Sequence, residues 1–133
     1  MNFKFRGKRI SGMAVVLPAR ELSFLEEMKN FNFPEARSLK LKEVMGYDKR
    51  RVVEPGCCVS DLTVHGLQQL FDRGSLKKEE IDAILLVTQT ADHFMPSTSS
   101  LIQGRLGLKR DMLCLDLNLA CAGFVIGLMQ AFM

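Results

Sequence analysis

Leu113-Cys114-Leu115-Asp116-Leu117-Asn118-Leu119-Ala120-Cys121-Ala122-Gly123-Phe124-Val125-Ile126-Gly127 is the stretch whose reading decides the fold. Leu occupies positions 113, 115, 117 and 119, with Cys114, Asp116 and Asn118 between them, and this period of two predicts a strand. From Ala120 the pattern changes, and Ala, Gly, Phe, Val, Ile, Leu and Met run to Met133 without a charge. Such a run, with small residues on several sides, predicts a helix buried all round rather than an amphipathic surface helix. It is too short to cross a bilayer. A thiol in the first turn of that helix, Cys121, faces unpaired N–H groups and the positive end of the helix dipole. Both favour the thiolate, the nucleophilic form. The competing reading makes Cys121 a small buried hydrophobe, the usual role of cysteine. Two features weigh towards the nucleophile. The residue sits at the carboxyl end of a strand, where open α/β sheets bind ligands, and Ala122 and Gly123 beside it admit close approach.

Ile81 to Thr88 is a continuous apolar run that suits a strand of a parallel sheet covered on both faces. Between it and Leu113, Leu101 to Leu106 is helical and Gly107 stops the helix. Ser60 is the expected N-cap of a helix from Asp61 to Asp72, with Leu62, Val64, Leu67, Leu70 and Phe71 as its apolar stripe and Gly74 as its C′ residue. His65 falls within that helix as a surface or packing residue. Ile10 to Leu17 reads as a buried strand ended by Pro18. Glu21 to Asn30 has the spacing of a short helix, and residues 34 to 50 are mixed. Phe94 and Met95 sit in the polar loop Gln89 to Ser100, with pocket lining, partner contact and core packing all open to them. Strands alternating with helices predict an α/β fold with a parallel sheet.

At 133 residues this is one domain at most. A net charge of +3 is too small to argue for nucleic acid. Residues 1 to 9 are charged and form no signal peptide, so the four cysteines are expected as reduced thiols in the cytoplasm. Cys57-Cys58 is an adjacent pair with no histidine near it in sequence, so no metal site is expected.

Ile10-Ser11-Gly12 through Leu17-Pro18, Gly46 with Arg51, Ile81-Asp82 through Thr88, Met95-Pro96-Ser97, Gln103, Leu106-Gly107 and above all Asp116 to Phe124 carry a resemblance. The chain resembles the N-terminal half of a β-ketoacyl-acyl carrier protein synthase III, a condensing enzyme of the thiolase fold. The match runs with few gaps from Gly46 onward and is weaker between Ala19 and Met45. The resemblance implies the N-terminal part of a thiolase-like βαβαβ layered fold with a mostly parallel sheet, cut inside the nucleophile helix, with residues 1–133 as one half-domain. It implies a sheet order of 3-2-1-4-5 in which Ile10 to Leu17 is the first strand.

For function, the resemblance implies a decarboxylating Claisen condensation of an acyl thioester with malonyl-acyl carrier protein in fatty acid biosynthesis. Cys121 would be the acyl-carrying nucleophile, and its backbone N–H an oxyanion donor. Met95 would reach the partner's acyl pocket across a homodimer joined at Leu113 to Leu117. Acyl carrier protein and an acyl-coenzyme A or acyl-acyl carrier protein donor are the implied partners. No cofactor, nucleic acid or membrane is implied. The family's His and Asn come from the second half of its fold, and His65 and His93 match neither, so the 133 residues alone are expected to be inactive. The segment before Gly46 lacks the aromatic-plus-Arg clamp of members that use coenzyme A thioesters. Two alternatives stand beside this reading: a secondary-metabolite ketosynthase of the same fold, and a non-catalytic dimerisation piece in which Cys121 only packs.

Overall fold

The structure, a computed structural model, describes residues 3–133. In chain order its elements are β1 (Arg20–Ser23), α1 (Phe24–Glu27), α2 (Glu35–Met45), β2 (Lys49–Val52), α3 (Val59–Asp72), β3 (Ala83–Val87), α4 (Thr98–Leu106), β4 (Leu113–Leu117) and α5 (Gly123–Phe132). Short 3₁₀ turns lie at Met28–Asn30, Lys78–Glu80 and Ala120–Ala122. They form two compact units, Leu17–Cys57 and residues 3–16 with Cys58–Met133.

In the smaller unit, β1 and β2 pair antiparallel from Arg20↔Val52 to Ser23↔Lys49. The helix expected from Glu21 starts instead at Phe24. Ser23 Oγ accepts the Glu26 N–H at 3.2 Å, and the Glu26 carboxylate accepts the Ser23 N–H at 3.1 Å, a capping box that fixes the start of the helix. Glu21 lies in the ladder, where its carboxylate meets Lys49 at 2.8 Å and Arg51 at 3.6 Å. Phe24 is fully buried, edge-on to Phe31 and Tyr47. The stretch after Pro34, which has no clear period, forms α2 and ends at Gly46, whose φ of 71° is the left-handed cap that glycine adopts without strain.

The larger unit is built on a βαβ crossover. β3 and β4 pair in parallel from Ala83↔Leu113 to Val87↔Leu117, with α4 between them in sequence. Alternation sends Ile84 and Leu86 to one face, where they pack on the buried Ile102, Leu106 and Leu108 together with Val64, Leu67 and Phe71 of α3. Val87 faces the opposite way and meets α5. α5 thus covers the second face of β3 in part, with Val87 still 39% exposed, and an apolar run continuous over both faces suits a strand with packing on each side.

α5 approaches closely because two glycines, one turn apart, straddle Val87. A Cβ at Gly123 would lie 2.6 Å from Val87 Cγ1, and one at Gly127 would lie 2.6 Å from Val87 Cγ2. That close seat covers one face of α5 alone. Phe124 and Val125 are 70% and 66% exposed, which corrects the expectation of a helix buried all round: the small residues mark a single contact face.

Two further expectations are corrected. Ile10 to Leu17 forms no strand, and Met13, Val15 and Leu17 are exposed. A strand exists only when a neighbour's backbone pairs with it, and β3 takes its partner from β4. Among the described residues the parallel sheet has two strands, not the three implied by the resemblance. Ser60 is also not the N-cap of α3. Cys58 holds that place, its N–H donating to Asp61 at 2.8 Å. Ser60 is buried inside the first turn, where its Oγ accepts from Arg105 at 2.6 Å. The other end of α3 is as expected: Gly74 and Ser75 donate to the Phe71 and Leu70 carbonyls, a Schellman closure.

Val at position 127 would press on Val87, and Gly127→Val is expected to cost about 1–3 kcal/mol. Val87→Ala should recover part of that loss in the double variant, as urea unfolding of the four-member cycle will show. Asp61 gives a pH prediction. The Cys58 N–H and then the Arg105 guanidinium hold its carboxyl below the usual range. A group lowered in the folded state stabilises above its unfolded pKa, about 4, and that contribution is lost as pH falls through the lower, folded value. On acidification from about pH 5 the melting temperature should therefore fall more steeply in the wild type than in Asp61→Asn; parallel curves would refute the assignment.

Candidate active site

The chain leaves β4 at Leu117, whose carbonyl accepts the Thr88 N–H at 3.1 Å. It then turns sharply into α5. Ala120 takes φ 46°, the one non-glycine residue with positive φ among the described residues. An L-residue in that region carries a steric cost that only a firmly held surrounding sustains. The next residue is Cys121, in the 3₁₀ turn Ala120–Ala122 that precedes Gly123. The turn closes through the Ala122 N–H on the Leu119 carbonyl at 3.1 Å.

Cys121 is exposed, not buried. It lines a cleft of about 280 Å³ with Val87, Thr88, Gln89, Leu117, Leu119 and Ala120. These residues are the carboxyl ends of two parallel strands and the turns that follow them, the place where α/β sheets bind ligands. Cys121 brings the one thiol of an otherwise mostly apolar lining, with the Thr88 hydroxyl and the Gln89 amide as polar neighbours. A thiol so placed can attack an electrophilic carbon entering the cleft.

Other candidates lie elsewhere. Met95 is 88% exposed in the β3–α4 loop beside the fully exposed Phe94, and neither lines the cleft. His65 Nε2 is hydrogen-bonded to Gln69 Nε2 at 2.9 Å on α3, and His93 is an exposed loop residue. Cys57, Cys58 and Cys114 lie outside the lining. Among the described residues no cluster of His, Cys, Asp or Glu could hold a metal ion, and no helix is long and apolar enough to cross a membrane.

Sequence reasoning missed three contributors. Ala120 carries no signal, since its strain comes from the turn and not from its type. Gly127 was legible in principle, because glycines at i and i+4 mark one helix face. Asp116, a charge inside an apolar strand, was a signal left unread. Its carboxylate accepts the Thr98 and Ser99 N–H groups at 2.6 and 2.9 Å and so caps α4.

No family model matches the chain. It is 33% identical over 132 residues to a Campylobacter jejuni protein named after 3-oxoacyl-[acyl-carrier-protein] synthase 3, covering 98% of this chain and 37% of that one. It is 30% identical over 126 residues to the β-ketoacyl-[acyl-carrier-protein] synthase III of Fusobacterium nucleatum, covering 92% and 36%. Among solved structures it is similar to a 3-oxoacyl-(acyl-carrier-protein) synthase III with a TM-score of 0.70 and 29% identity, over 87% of this chain and 34% of that one. The chain thus spans about a third of the length of the relatives it matches.

The turn before Cys121 is open to a stability test. Ala120→Gly should leave the melting temperature unchanged or raise it, since glycine holds positive φ without strain. Ala120→Val should lower stability by about 1–3 kcal/mol. Equal melting temperatures for the two variants would show that the left-handed turn is not formed in solution.

Proposed function

The chain belongs, over the residues it has, to the β-ketoacyl-[acyl-carrier-protein] synthase III family, and from that premise we propose that it carries the nucleophile of a decarboxylating condensing enzyme. The observation that carries this reading is an exposed Cys121 on a strained strand-to-helix turn, at the carboxyl ends of parallel strands.

In the proposed reaction the Cys121 thiolate attacks the carbonyl carbon of an acyl thioester. The resulting oxyanion accepts a hydrogen bond from the Cys121 backbone N–H. The donor's thiolate departs and leaves an acyl-cysteine. Malonyl-acyl carrier protein then loses carbon dioxide, and the electron pair of the broken C–C bond remains on the α-carbon. That carbanion attacks the acyl-cysteine carbonyl, expels the Cys121 thiolate and yields 3-oxoacyl-acyl carrier protein. Splitting one transfer into two displacements is what covalent catalysis gains. Cys121 lines the cleft and no histidine does, so in this reading proton transfer and stabilisation of the carbanion fall to residues outside it.

Acyl carrier protein as acceptor and an acyl-coenzyme A or acyl-acyl carrier protein as donor complete the reading, with the enzyme acting in the cytoplasm in fatty acid synthesis. A homodimer through β4 is supported by its geometry: β4 pairs with β3 on one side and, among the described residues, with no strand on the other. Open strand edges invite pairing with another chain. The exposure of Met95 suits a residue that contacts a partner's acyl site.

Limiting alkylation followed by mass mapping tests the role of Cys121. Labelling is expected at Cys121 ahead of Cys58, the other exposed thiol, and ahead of Cys57 and Cys114. Preference for any of those three sinks the reading. The 133 residues alone should yield no 3-oxoacyl product, because missing acid–base and electrostatic help would each cost about 10²–10⁴ in rate. Product that disappears in Cys121→Ala would mean the partners of the cysteine lie within this chain.

A further inference from the structure

We propose that Asp116 is a positioning residue for Cys121, holding the strained turn in place through the N-terminus of α4; this rests on the reading of Cys121 as the nucleophile. Asp116 sits opposite Leu86 in the parallel ladder, one residue before β4 ends. Its carboxylate accepts the Thr98 N–H at 2.6 Å on one oxygen and the Ser99 N–H at 2.9 Å on the other. Ser97 Oγ takes the Ser100 N–H at 3.3 Å, and the Ser97 carbonyl takes the Leu101 N–H at 3.1 Å. The first turn of α4 is thus completely satisfied, half of it by a side chain from another element. Thr98 and Ser99 are fully buried, so without the carboxylate two donors would be stranded away from water.

The consequence reaches Cys121 because of what lies on either side of it. Upstream, the carboxylate and the Leu117 carbonyl fix the end of β4. Downstream, Gly123 and Gly127 fix α5 against Val87. Residues 118–122 span these two fixed points, and the span includes Ala120 at φ 46°. A strained residue persists only while its surroundings over-determine it. Freeing the upstream end lets Ala120 relax and carries the thiol with it.

The Asp116 bond to Thr98 also continues a wider network. Thr98 Oγ1 accepts the Asp92 N–H at 3.0 Å, the Asp92 carboxylate accepts the Ser60 N–H at 3.3 Å, and Ser60 Oγ accepts from Arg105, which pairs with Asp61 at 2.8 Å. The support under the turn therefore extends through the β3–α4 loop to the start of α3.

The test compares alkylation rates at Cys121 and Cys58 by mass mapping across pH in four proteins: wild type, Asp116→Ala, Asp116→Asn and Ser97→Ala. Ser97→Ala removes a cap from the same helix without touching β4, so it reports a merely structural loss. All four are measured well below their melting temperatures, with folding checked by circular dichroism. Asp116→Ala should change the Cys121-to-Cys58 rate ratio by about tenfold, the size expected from orphaning buried donors. Asp116→Asn, which keeps one acceptor oxygen and serves if the alanine variant does not fold, should change it less. Ser97→Ala should leave the ratio and its pH profile unchanged. An unchanged ratio in both Asp116 variants, or an equal change in Ser97→Ala, overturns the proposal. A wild type that does not favour Cys121, whose ratio still shifts in Asp116→Ala alone, supports the positioning role and defeats only the nucleophile reading.

Discussion

Val87 sits between two glycines of α5, and this contact sets the height of the helix above the sheet. Helices carrying ordinary side chains pack with those side chains interposed, but here the backbone of α5 lies almost directly on a valine. The glycines are one turn apart, so the contact fixes the azimuth of the helix as well as its distance. With the axis fixed, the start of α5 must fall over the carboxyl ends of β3 and β4. The chain then has only residues 118–122 in which to travel from the end of the strand to the helix. A span that short leaves little choice of path, and it is met by a 3₁₀ turn with Ala120 in the left-handed region.

The steric cost of that conformation, about 1–2 kcal/mol, is small beside what opposes its release. To relax the turn, either α5 must lift off Val87 or β4 must shift against α4. The first exposes apolar surface, and the second parts a carboxylate from two buried N–H groups, each loss worth at least as much as the strain. The strain is thus held by contacts on both sides of Cys121, and the thiol is presented to the cleft by rigid elements instead of a free loop. That is the property a nucleophile needs, because positioning is a large part of what a catalytic site supplies.

What could be read from the sequence was what local pattern determines. The alternation at Leu113 to Leu119, the apolar run around Leu85, the glycine stops at Gly74 and Gly107 and the strand-to-helix junction at Cys121 all follow from a few adjacent residues, and the parallel pairing follows from their order. The misreadings were non-local. Ile10 to Leu17 has strand composition, but a strand is a property of a pair, and among the described residues no neighbour pairs with it. Ser60 is a better cap by type than Cys58, yet Arg105 and Asp92 draw it inside the first turn. The apolar run from Ala120, with its small residues, suggests burial all round, yet Gly123 and Gly127 mark a single packed face. Ala120 looks ordinary in every respect except its backbone angle.

The geometry around Cys121 rests on contacts within Ala83 to Phe132, a span of one βαβ crossover and one helix. The contacts nearest the thiol belong to this span: the parallel ladder, the Asp116 bonds to α4 and the glycine seat on Val87. What the span does not supply is cover. Phe124, Val125 and Leu119 are exposed around the turn, and water can reach the cleft. Positioning and desolvation are separate contributions to catalysis, and in this chain they are separable in space. The thiol is set by short-range packing, while a dry, low-dielectric pocket around it requires apolar surface from beyond this span. Reactivity of Cys121 toward a small electrophile depends on the first alone, whereas the proposed condensation of two thioesters depends on both.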